Sequence, residues 1–105
     1  MIDWQRVNEL RDEVGNDDFP EIVTVFLDEV DEVIARITIR ITQEDMHFLK
    51  GSAWTLGFSD TGTLCREGED MMKGRLPKTP ALEPILTAFH AERAELLTDP
   101  SLSGN

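Results

Sequence analysis

The chain of 105 residues is 40% apolar and sets 10 Lys and Arg against 21 Asp and Glu, a formal charge of −11. That length fits one domain with a modest core, reached most economically by long helices with local contacts, and the acidity repels polyanions, excludes nucleic acid as a partner and favours a soluble monomer. No apolar run nears the roughly 18 residues that cross a bilayer, and the stretch from Met1 to Leu10 is charged rather than signal-like, so a cytoplasmic protein without membrane partners is expected; the single Cys65 offers neither an internal disulfide nor a zinc site and reads as a buried apolar residue.

In chain order, Asp3 caps a helix running to about Val14, with Trp4, Val7, Leu10 and Val14 on one side and Gly15 and Asn16 at its end. Asp17 or Asp18 caps the second helix, Pro20 sits in its first turn, and Ile22, Phe26, Glu29, Val30, Val33 and Ile37 follow a helical period with Glu29 as the polar member. The β-branched run from Ile37 to Ile41 is too short for a strand and has no pairing partner, so it reads as the fraying helix end. Thr42, with Asp45 three residues on, resembles a capping box and opens a third helix that stops at Gly57.

Ser59 or Asp60 caps a fourth helix through Leu64, Met71 and Met72 to Gly74, weakened by Gly62 and Gly68. Thr79 and Pro80 read as the cap and first residue of a last helix with Leu82, Ile85, Phe89 and Leu96 on one side and Pro84 delaying its regular start. The predicted fold is all-α: an antiparallel four-helix bundle with an additional short N-terminal helix over its end, forming one domain over 1–98 with a disordered tail at 99–105.

The third helix carries the chemistry. At about 100° per residue, Met46, Leu49, Ala53 and Leu56 form its buried stripe, and His47 falls on the outward side with Gln43, Lys50, Gly51 and Trp54. An unprotonated imidazole is a good nucleophile, and a phosphoryl group on it stays labile enough to be passed on. Lys50, one turn along, reaches a phosphoryl oxygen as a point charge. Gly51 costs about 1 kcal/mol relative to Ala in mid-helix, which implies another demand on the position, such as clearance for a partner's active site. Gln43 or Glu44, one turn earlier, could bond one ring nitrogen and leave the other free. An exposed helical histidine is usually only a solvated residue; its neighbours set this one apart.

The stretch His47-Phe48-Leu49-Lys50-Gly51-Ser52-Ala53-Trp54-Thr55-Leu56-Gly57 resembles the signature of histidine-containing phosphotransfer (HPt) domains, H-x-L-K-G-[SA]-[SA]-x-x-[LIV]-[GS], at every specified position. The resemblance implies a four-helix bundle that relays phosphoryl groups between receiver-domain aspartates and has no ATP-binding site. By position, it makes His47 the phosphoacceptor, Lys50 the partner of the phosphoryl group and Gly51 the clearance residue, while Ser52 points into the bundle. It also implies that the receiver supplies both the aspartate and Mg²⁺, so that the chain needs no cofactor or metal ligand of its own. The sequence departs from the family's usual pattern in placing Trp54 and Thr55 at variable positions and Gly68 where a larger apolar residue is expected.

Outside the motif, His90 lies beside Phe89 without a following Lys-Gly pair and reads as a surface histidine; a two-histidine metal site would need converging carboxylates. Trp54 is either an aromatic at the bundle edge or, with Gln43 and Glu44, part of a docking surface. The acidic runs Glu67, Glu69, Asp70 and Asp28, Asp31, Glu32 read as solvated helix faces. The expected function is that of a phosphocarrier, not an enzyme in its own right, whose partners are response-regulator receiver domains and a hybrid histidine kinase. The alternatives are a helical adaptor that binds and regulates a receiver or kinase without transfer, and the phosphoacceptor domain of a larger kinase, against which the start at Met1 and the short polar tail weigh.

Overall fold

The computed structural model describes residues 1–75 and 80–102. Five helices follow one another: α1 Trp4–Val14, α2 Phe19–Ile37, α3 Gln43–Leu56, α4 Ser59–Met72 and α5 Leu82–Leu96. Among the described residues there is no strand, only an isolated bridge between Ile2 and Phe58. Across α3 and α4, Gln43 bonds Met72, His47 bonds Glu69 and Trp54 meets Gly62, an opposed numbering that makes these helices antiparallel. The pairing of Thr61 with Glu92 and the closeness of Gly68 to Pro80 do the same for α4 and α5.

The α3 and α1 stripes lie where the helical period puts them: Met46, Leu49, Ala53 and Leu56 are buried with Val7 and Leu10, and Trp4 and Val14 pack at the edge. In the first half of α2 the buried stripe is rotated by one residue from the predicted one. Phe19, Val23, Leu27, Val30, Val33 and Ile37 face the core, while Ile22 and Phe26 are half-buried and Glu29 is exposed. A stripe through Ile22 and Phe26 would carry the Glu29 carboxylate into apolar surroundings without a partner; the observed rotation leaves it in water.

The two α4 glycines are packing residues. A Cβ on Gly62 would stand 2.8 Å from the Trp54 indole, and one on Gly68 would stand 3.0 Å from the Met46 sulfur. Gly68 thus makes room for a large apolar side chain from α3, which explains why none sits at that position itself. Neither Ser59 nor Asp60 caps α4 with its side chain. The role falls to the buried Glu92 of α5, whose carboxylate accepts from the Asp60 and Thr61 amides at 3.1 and 2.9 Å and from the Thr61 hydroxyl at 2.6 Å. Regular α5 starts at Leu82 rather than Pro80, and the predicted cap Thr79 lies outside the described residues. Cys65 is buried, and burial pushes its thiol up to about 12.

The chain from Asp99 does not behave as the expected free tail over its described part: Asp99 pairs with Arg11 of α1, and Leu102 packs against the core. An ion pair and an apolar anchor within four residues hold it down; residues 103–105 lie outside the described set. At the opposite edge of α1, the Asp3 amide donates to the Gly57 carbonyl at 2.7 Å, which seats the start of α1 on the α3–α4 turn. Gly57 has φ +77°, and a Cβ there would stand 2.6 Å from the Asp3 carbonyl oxygen. Gly57→Ala is therefore expected to lower unfolding stability by about 2 kcal/mol or more, measurable by urea denaturation, because it combines a left-handed backbone with a clash against main chain.

Candidate functional site

The α3 register decides which side chains reach the surface. With Met46, Leu49, Ser52 and Ala53 turned inward, His47 stands out with its side chain 70% exposed, and Lys50 and Gly51 follow on the next turn. Thr42 fixes the start of this helix by accepting the Asp45 amide at 3.0 Å, and the Asp45 carboxylate pairs with Arg36 of α2 at 2.6 Å. The antiparallel run of α4 then brings Glu69 opposite His47 and Lys50.

Glu69 is the centre of the arrangement. Its side chain is only 5% exposed, its Oε2 lies 2.9 Å from His47 Nδ1, and its Oε1 accepts from Lys50 Nζ at 2.6 Å. Lys73, at the C-terminal end of α4, approaches Oε2 to 3.4 Å. The hydrogen bond from Lys50, supported by those from His47 and Lys73, holds the Glu69 carboxyl down at about 2 against the opposing effect of burial. An ionised carboxylate only accepts hydrogen bonds, so in this contact Nδ1 carries the proton. The unprotonated ring then keeps its lone pair on Nε2, which no described residue hydrogen-bonds.

Because this carboxyl is more acidic in the folded chain than unfolded, its pairing stabilises the fold fully above its ordinary value of 4.5, and that contribution is lost as pH falls toward about 2. Glu69→Gln is expected to lower the thermal midpoint at pH 7 and to flatten its decline between those two values, as read by circular dichroism melts.

Glu69 corrects two expectations. The run Glu67, Glu69, Asp70 is not one solvated face: Glu69 is buried, and Asp70 is half-buried and pairs with Arg75 at 3.3 Å. Nor does Gln43 or Glu44 hold the histidine ring. The Gln43 amide donates to the Met72 carbonyl at 3.1 Å, tying the start of α3 to the end of α4, and Glu44 lines an open depression with Gln43, His47, Phe48 and Glu69. The missed signal was positional. Thr61, Cys65 and Gly68 mark the inward side of α4, and Glu69 lies on the same side, facing the helix that bears His47.

Around this centre the surface is open at Gly51, where an added Cβ would meet nothing within 4 Å. Trp54 rests its indole on Gly62 at the bundle edge, while the residue remains 38% exposed on the His47 side of α3. His90 is exposed on α5, its ring 5.6 Å from that of Phe89. Among the described residues no three His, Cys, Asp or Glu side chains converge as a metal site, and no helix is long and apolar enough to cross a membrane. A family model described as Hpt domain matches residues 21–99, most of the chain, leaving α1 outside the match. No match was found among curated proteins or among solved structures.

Proposed function

Since the chain belongs to the Hpt domain family, whose general role is histidine phosphotransfer in phosphorelays, we propose that it is a phosphocarrier relaying a phosphoryl group between receiver-domain aspartates through His47. The observation that carries this reading is the pairing of His47 Nδ1 with the buried Glu69 carboxylate, which leaves the Nε2 lone pair available on an exposed ring. In the forward step Nε2 attacks the phosphorus of a receiver's aspartyl phosphate in line. The N–P bond forms as the P–O bond breaks, and the aspartate leaves as a carboxylate. No proton has to leave Nε2, and the positive charge gained by the ring is offset through Nδ1–H by Glu69. Passing the group to a second receiver reverses these events.

Lys50 offsets charge on the phosphoryl oxygens, and the open surface at Gly51 admits the receiver's active site. Gln43 and Glu44 border His47, and with Trp54 two turns further along α3 they form the docking surface, on which a hybrid histidine kinase's receiver and a response regulator take turns. Mg²⁺ belongs to the receiver, so the reactive site is complete only in the docked pair, and binding is transient. The chain acts as a cytoplasmic monomer and has no catalytic cycle without a partner.

The test is incubation of the chain with phosphorylated receivers and Mg²⁺. Acid-labile, base-stable label on the chain is expected. Stable binding to receivers with no label from any of several would instead support a regulating adaptor.

A further inference from the structure

We infer that Lys73 is the standing counter-ion of Glu69, and that its presence frees Lys50 to turn from the carboxylate to the phosphoryl group on His47. The inference rests on the phosphocarrier reading and adds a residue to it. Three donors converge on one buried carboxylate: Lys50 on Oε1 at 2.6 Å, His47 on Oε2 at 2.9 Å and Lys73 on Oε2 at 3.4 Å. Structure alone would be satisfied by fewer, since one well-placed cation neutralises one carboxylate. The Glu69 carboxylate thus faces two lysine-borne positive charges, one more than its own charge requires, in a chain of net −11.

Transfer changes that balance. A phosphoryl group on Nε2 brings about two negative charges, and the ring gains one positive charge. Glu69 and the phosphoryl group then face Lys50, Lys73 and the imidazolium, and the charges cancel. Without Lys73, Lys50 has to serve both anions, and moving it toward the phosphoryl group leaves a carboxylate that is 5% exposed short of its partner. Lys73 is held where it can take over. The Gln43 amide anchors the Met72 carbonyl at 3.1 Å, next in sequence to Lys73, and Lys73 caps the end of α4 four residues after Glu69. Its only ion pair among the described residues is with Glu69. A cation at a helix C-terminus is favourable in any case, but that explains its charge and not its place against Oε2.

Lys73 is accordingly a positioning residue, which acts on the phosphoryl group through Lys50. The test is a double-mutant cycle on the equilibrium of phosphoryl exchange with a receiver, using the wild type, Lys73→Met, Lys50→Met and the double variant, with circular dichroism to verify folding and Lys73→Arg as the conservative replacement. Lys73→Met is expected to lower the equilibrium constant for the phosphorylated chain by about fivefold, the upper end for a partly exposed ion pair, and Lys73→Arg to restore it. In the Lys50→Met background the same substitution should change the constant by less than about twofold, because there is no Lys50 to free. An unchanged constant in Lys73→Met overturns the inference while leaving the phosphocarrier reading intact. An undiminished effect in the Lys50→Met background overturns it in favour of direct contact with the phosphoryl group. A wild-type chain that accepts no phosphoryl group removes the phosphocarrier reading and this inference together.

Discussion

Replacing His47 with Gln is expected to lower phosphoryl uptake from a phosphorylated receiver by about a thousandfold or more while the fold persists. The nucleophile is removed outright, and no other described group is placed to replace it: His90 stands on another helix beside Phe89 and lacks a carboxylate and lysine pair. Folding should tolerate the change, because the side chain is 70% exposed and a Gln amide can still donate to Glu69. The measurement is the initial rate of label transfer, paired with far-ultraviolet circular dichroism and a thermal melt. Uptake at the wild-type rate with the fold retained would take His47 out of the mechanism.

At Gly51 function and stability are expected to move in opposite directions. The position is mid-helix, exposed and open, so Gly51→Ala should raise stability by about 0.5–1 kcal/mol through helix propensity alone. Gly51→Gln keeps most of that gain but sets a long side chain one turn from His47, where a receiver has to bring its aspartate within bonding distance of Nε2. A displacement of about 1 Å at a reacting centre costs on the order of a hundredfold, and a loss of that size in transfer rate is expected for Gly51→Gln. Urea denaturation and transfer rates on the same protein separate the two effects. A stabilised variant that transfers as fast as wild type would show that the gap at Gly51 is not clearance for a partner.

What the sequence made legible was what one helix can encode by itself. The α3 period alone separates Met46, Leu49, Ala53 and Leu56 from an outward face with His47, Lys50 and Gly51, and the Thr42 cap and Gly57 stop bound the helix as local rules require. Where a position depends on a second helix, local rules fall short. Glu69 looks like one carboxylate in an acidic run until the antiparallel register of α4 sets it against His47 and Lys50. Glu92 looks like one more acidic residue on α5, yet it caps α4 from thirty-one residues away in place of Ser59 or Asp60. Gly62 and Gly68 look like helix defects until Trp54 and Met46 are packed against them. The α2 stripe departs from expectation for a different reason: its apolar residues offer two helical faces, and the one that carries Glu29 would bury an unpartnered carboxylate.

The central claim is that the phosphoryl group is carried on Nε2 of His47, with Nδ1 protonated toward Glu69. Nitrogen-15 and phosphorus-31 magnetic resonance of the histidine-labelled chain, before and after phosphorylation by a receiver, tests it most directly. The expected result is an Nδ1–H tautomer at His47 in the unprotonated resting ring, followed by one new nitrogen–phosphorus coupling at Nε2 of that residue. Coupling at Nδ1, coupling at His90, or phosphorus on no histidine at all would contradict the account.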